Sequence, residues 1–124
     1  IQEAKKKNVY NKLSKIDIFE YLSTEILDFD FFISLDVFIY IGEISDIFKL
    51  IKSRNKRKGK FIFSTEHNSK KEFFLEKNGR FSHSKKYIDN LCKKFDYQIS
   101  SFKKTKLRNQ FNHYLIGGIY ILDF

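Results

Sequence analysis

The 124-residue chain contains no Trp, Met or Pro, only five Gly and one Cys. A single cysteine excludes an internal disulfide, and Cys92 sits among Ile88, Leu91 and Phe95 at helical spacing, which predicts a buried face rather than a reactive thiol. A reducing cytoplasm suits such a chain. No apolar run approaches about 18 residues, so neither a transmembrane helix nor a secretory leader is expected. His67, His83, His113 and Cys92 have no metal-ligand spacing, so no metal is expected. Pro- or Ser-rich linkers and internal repeats are also lacking, which leaves one domain over residues 1–124.

What is abundant is aromatic and basic. The chain has 15 Phe and 7 Tyr, is 42% hydrophobic and 31% charged, and carries a formal net charge of +9. These proportions suit a folded domain rather than disorder. Lys, Phe, Ile and Asn are together favoured by AT-rich codons, and the Lys residues are spread through every segment. Composition thus accounts for the charge as readily as an anionic partner does.

Ile1 to Asn8 reads as the last turns of a helix from a longer protein. Leu13 to Asp17 is expected as a short strand, followed by a loop or short helix through Glu25. Asp30 to Leu35 is nearly all apolar, the pattern of a parallel strand buried on both faces. Ile44, Ile47, Phe48 and Ile51 predict a helix to about Arg54, capped by Ser45 or Asp46. A basic turn from Lys52 to Lys60 leads into a buried strand, Phe61 to Ser64. Glu66 to Ser82 is polar and irregular, expected as a binding loop. Ser82 or Ser84 can cap a helix with an inner stripe of Tyr87, Ile88, Leu91, Cys92 and Phe95. Two last strands, Tyr97 to about Lys104 and His113 to Phe124, are joined by Thr105 to Asn112. That connection is too short for a crossover helix and predicts an antiparallel pair.

Four segments in fixed order carry a resemblance. Phe29-Asp30-Phe31-Phe32-Ile33-Ser34-Leu35-Asp36 running on to Gly42 resembles the fourth-strand motif of predicted methyltransferases often fused to tetratricopeptide repeats. Gly59 to Glu66 resembles their fifth strand, Gly79-Arg80-Phe81-Ser82-His83-Ser84 the loop entering the next helix, and Gly117-Gly118 with Tyr120-Ile121-Leu122 the closing strand. Asn8 to Glu20 is similar to the third-strand region. The usual paired glycines before the fifth strand read Lys58-Gly59 here.

The resemblance implies an α/β, Rossmann-like class I S-adenosylmethionine-dependent methyltransferase sheet. The chain would supply strands 3 to 7 of seven and end in an antiparallel hairpin. No glycine-rich G-x-G-x-G element occurs in these residues, so the cofactor-loop strands are expected upstream, and this C-terminal portion alone is expected to be inactive. Without those strands, Asp30 to Leu35 would expose a flat apolar edge or re-pair with Leu13 to Asp17.

By resemblance, Asp17 and Ile18 meet the adenine of S-adenosylmethionine, and Ser34, Leu35 and Asp36 line its pocket where a parallel strand ends. Asp17 as a helix cap is an equally good reading. Phe38 and Tyr40 are substrate-side candidates, with Phe38 in the core as the alternative. His83 is a candidate general base for an acceptor that must lose a proton, and Arg80 a candidate for a carboxylate or phosphate; both could instead cap and solvate the helix start. Glu66 and His67 are second choices, expected on one face. The methyl acceptor and the oligomeric state are left open. Other readings are a nucleic-acid-binding module built on Lys52 to Lys60, which needs exposed aromatics, and a non-catalytic remnant.

Overall fold

A computed structural model describes residues 1–70, 72–110 and 113–124. A short helix, α1 (Gln2–Lys7), ends at Asn8 in the left-handed conformation. Residues 9–17 form neither strand nor helix, so the strand expected at Leu13 to Asp17 is absent. The chain then enters α2 (Ile18–Thr24), β1 (Phe31–Ser34), a 3-10 turn (Phe38–Tyr40), α3 (Ser45–Arg54) and β2 (Lys60–Asn68). The remaining elements are β3 (Phe73–Leu75), β4 (Phe81–Ser84), α4 (Lys85–Phe95), β5 (Gln98–Gln110) and β6 (His113–Asp123).

All six strands form one mixed sheet organised around β2. On one edge β2 pairs antiparallel with β6, from Lys60 opposite Asp123 to Glu66 opposite Gly117, and β6 pairs antiparallel with β5. Its other edge is shared by two short parallel strands. β1 lies beside Lys60 to Phe63, and β4 beside Glu66 to Asn68. The expected C-terminal hairpin is therefore present, and β5 extends beyond Lys104 to Gln110. The connection itself, Phe111 and Asn112, lies outside the described residues.

The irregular loop expected from Glu66 to Ser82 is instead the end of β2, then β3 and β4 as an antiparallel pair. Its polar composition hid the strands because β2 carries Ser64, Glu66 and Asn68 at alternate positions. Such residues share one face of a strand.

One face of the sheet is covered. α3 and α4 bury Ile47, Phe48, Ile51, Ile88, Leu91 and Cys92 against Phe61, Phe63, Tyr97, Tyr120 and Leu122. Burial pushes the Cys92 thiol pKa up to about 12, leaving a protonated core side chain. Ser84 caps α4, its Oγ accepting the Tyr87 N–H at 3.1 Å. At α3 neither Ser45 nor Asp46 is the cap; Ile44 holds that position, and Glu43 Oε1 accepts the Ser45 N–H at 3.0 Å.

On the other face β1 is bare. Phe31, Ile33 and Leu35 are 58%, 65% and 55% exposed, so the strand is not buried on both faces but is the apolar edge expected without the cofactor-loop strands. No re-pairing with residues 13–17 relieves it. Gly59 sets the approach of β1 to β2, since a Cβ there would stand 2.6 Å from the Asp30 carbonyl oxygen.

Candidate functional site

The chain turns sharply where β1 ends. Asp36 adopts a left-handed φ of 57°, which short polar side chains tolerate better than branched ones. Its N–H donates to Ser64 Oγ at 3.0 Å, tying the turn to β2. Leu35 and Asp36 are exposed, while Ser34 Oγ is buried without a hydrogen-bond partner among the described residues. Ser34, Leu35 and Asp36 thus stand together beyond the carboxyl end of a parallel strand, where open α/β sheets bind ligands. The unsatisfied Ser34 hydroxyl fits a polar cofactor group.

Asp17 and Ile18 occupy a different place. Asp17 caps α2, its Oδ1 accepting the N–H groups of Phe19 at 2.9 Å and Glu20 at 3.2 Å. Ile18 borders a cleft of about 600 Å³ with Val9, Tyr10, Ile16, Tyr21 and Phe29, and none of Ser34, Leu35 or Asp36 lines it.

Along β2 the polar row continues from Ser64 to Glu66 and Asn68. Glu66 is only 4% exposed and pairs with Arg80 at 3.7 Å, so these two substrate-side candidates bind each other. Asn68 donates to Ser82 Oγ at 3.0 Å, and Ser82 Oγ donates to Glu76 Oε1 at 2.7 Å. Ser64, Asn68 and Glu76 were not singled out in the sequence, and Ser82 only as a helix cap. The alternation of Ser64, Glu66 and Asn68 was the signal that could have found them.

Three expectations need correction. His83 is fully buried, and its Nε2–H donates to the Gly42 carbonyl at 2.8 Å. Burial lowers its pKa, opposed by the Gly42 and Ile41 carbonyls, so it is a neutral core histidine holding the Gly42 turn rather than an open general base. Phe38 takes its core alternative, fully buried and packed on Phe61 and Phe63 with centroids 6.1 and 5.3 Å away. Glu66 and His67, being consecutive in a strand, point to opposite faces. His67 packs near Phe102 at 5.9 Å, and burial followed by the Lys104 charge lowers its pKa. Tyr40, by contrast, is 70% exposed on the 3-10 turn.

Within the basic stretch Lys52, Arg57 and Lys60 are ion-paired, while Lys56 and Lys58 are exposed. Arg57 pairs with Asp28 at 2.6 Å and Asp30 at 3.3 Å, Lys52 with Asp96 at 3.9 Å, and Lys60 with Asp123. Phe48, Phe61, Phe63 and Tyr120 are in the core, whereas Tyr10, Phe29, Phe31 and Tyr40 are exposed. Among the described residues no three His, Cys, Asp or Glu side chains gather as a metal-binding group, and no helix is long and apolar enough to cross a membrane.

The architecture at this site is shared with solved proteins. TehB from Haemophilus influenzae superposes with a TM-score of 0.71 at 13% identity, over 98% of this chain and 44% of its own. An S-adenosylmethionine-dependent methyltransferase from Methanosarcina mazei gives 0.67 at 15%, over 88% of this chain and 65% of its own. The magnesium protoporphyrin IX methyltransferase of Synechocystis PCC 6803, solved with bound S-adenosylhomocysteine, gives 0.65 at 17%, over 98% and 56%. The chain has part of the methyltransferase fold. It spans 65% and 44% of the length of the first two of these neighbours. No protein-family model and no curated protein matches the sequence. In this methyltransferase-like sheet, the turn at Ser34 to Asp36 and the polar row of β2 stand side by side.

Proposed function

We propose that this chain is the C-terminal portion of an S-adenosylmethionine-dependent methyltransferase, acting on an acceptor yet to be identified, and that it transfers no methyl group by itself. The observation that carries the reading is the β1, β2, β6, β5 order. A parallel pair closed by an antiparallel hairpin ends at the Asp36 turn, with a buried Ser34 hydroxyl left unsatisfied. S-adenosylmethionine would supply the electrophilic methyl group on its sulfonium. Ser34, Leu35 and Asp36 would hold its amino-acid portion, and Tyr40 would border the acceptor.

Methyl transfer is an in-line displacement, so alignment and exclusion of water supply most of the rate. The Asp36 turn, fixed to Ser64, gives the rigid side of that alignment. Asp17 and Ile18 remain adenine candidates only if upstream strands bring their cleft to the end of β1. The lone buried Cys92 suits a reducing cytoplasm.

The test is calorimetric titration of S-adenosylhomocysteine into this chain and into a form extended upstream through a glycine-rich loop. Binding to the extended form, weakened by Asp36→Ala, supports the reading. No binding to a well-folded extended form overturns it.

A further inference from the structure

Where β2 ends, the sheet opens into two adjoining clefts that share His67, Lys70 and Lys104. The larger, about 770 Å³, is walled by β3 and the β5–β6 hairpin and carries two exposed apolar side chains, Phe74 and Ile116. The smaller, about 320 Å³, lies at the start of α4 and adds Lys85 and Lys86. With Lys106 at the larger cleft, five lysines border the pair against two acids, Glu72 and Glu76. Glu76 accepts from Ser82 Oγ, and Lys85 is held by Asp89 at 3.0 Å. Lys70, Lys86 and Lys104 have no ion-pair partner among the described residues, so the joint between the clefts is cationic while the larger cleft is apolar.

We propose that the clefts form the acceptor's site and that the acceptor is an elongated molecule with an apolar body and a carboxylate or phosphate at one end. Phe74 and Ile116 seat the body; Lys70, Lys86 and Lys104 hold the anion. Placing an anion among several lysines is favourable where a neutral or cationic head gains nothing. Four residue steps along β2 lead from Ser64, which anchors the Asp36 turn, to Asn68 at the cleft, a span of roughly 13 Å at strand rise. The atom to be methylated therefore lies at the far end of the acceptor from its anionic group. This inference rests on the methyl-transfer reading and assigns that reaction its substrate class.

Amide NMR of the 124-residue chain, titrated with octanoate, octyl phosphate, octanol and octylamine, tests it. Octanoate or octyl phosphate should shift the amides of residues 67–70 and 104–106, and the stronger of the two identifies the head group. Lys104→Gln should weaken that binding about tenfold, the scale of one charge-assisted hydrogen bond. Phe74→Ala should weaken it too, and Lys49→Gln on the outer side of α3 should leave it unchanged. Equal binding of octylamine, or indifference to Lys104→Gln, overturns the proposal. S-adenosylhomocysteine binding to the extended form is read separately. If it holds while the anions fail, only the substrate class falls; if it fails while the anions bind, the methyl-transfer reading falls and takes the assignment of these clefts to an acceptor with it.

Discussion

Two core tyrosines should respond in opposite directions to loss of the same atom. Tyr97 and Tyr120 are 5% and 0% exposed, and burial raises the pKa of both phenols, so each hydroxyl is protonated and needs a partner. Tyr97 has one: its hydroxyl donates to the Phe48 carbonyl at 2.6 Å, joining the start of β5 to α3. Tyr120 has none among the described residues; its ring is stacked on Phe63 at 5.0 Å and 13° and lies 4.6 Å from Phe102, with Oη enclosed. Tyr97→Phe removes a buried hydrogen bond to a carbonyl that keeps its helical partner in α3, destabilising by about 0.5–1.5 kcal/mol. Tyr120→Phe removes an unsatisfied group while keeping the ring packing, stabilising by about 1 kcal/mol. At this chain length that is roughly 3–6 °C upward for Tyr120→Phe and a fall of comparable size for Tyr97→Phe. Urea midpoints and thermal melts followed by circular dichroism measure both. A lower midpoint for Tyr120→Phe would refute the reasoning, because it would mean that Oη has a partner, such as an enclosed water.

Buried His83 has a pKa below its unfolded value, so the unfolded chain binds more protons as pH falls through about 6.5 and stability declines there. His67 acts in the same direction, and His83→Gln, which keeps a donor for Gly42, should flatten urea midpoints measured between about pH 5 and 8; an unchanged slope would remove His83 as a cause. Gly59→Ala would place a Cβ 2.6 Å from the backbone oxygen of Asp30, which cannot swing away, and should destabilise by about 1–3 kcal/mol in the same melts. Ile33→Lys, on the bare face of β1, should change stability by less than about 0.5 kcal/mol. It should also reduce self-association in sedimentation velocity, and equal association would clear this edge.

The elements with strong periodicity were legible before any coordinates. The inner stripe of α4, the end of a helix near Asn8, and the antiparallel pairing of the last strands follow from local spacing and short connections. What failed was set by neighbours. Leu13 to Asp17 carries strand-like residues but does not pair with the open edge of β1, and an unpaired segment leaves its backbone groups to water. Apolar Phe31, Ile33 and Leu35 alone predicted burial, and only the lack of a glycine-rich element pointed to the exposed edge that the fold has. The site split along the same line: Ser34 to Asp36 could be placed from the end of a strand, whereas the fates of His83 and Phe38 depended on which side of the sheet α3 and α4 cover.

β2 is the element on which both halves of the proposed site depend. Its first half pairs with β1 and holds the Asp36 turn through Ser64; its second half pairs with β4 and ends at the basic clefts. A paired strand fixes such separations more firmly than a loop does. Its register is pinned by Phe61 and Phe63, both essentially inaccessible on the covered face. A slip of one residue would turn those rings outward and drive Ser64, Glu66 and Asn68 into the core. The same two phenylalanines that make the core therefore keep the polar row facing the site, and the spacing between the two halves follows from the packing of the fold.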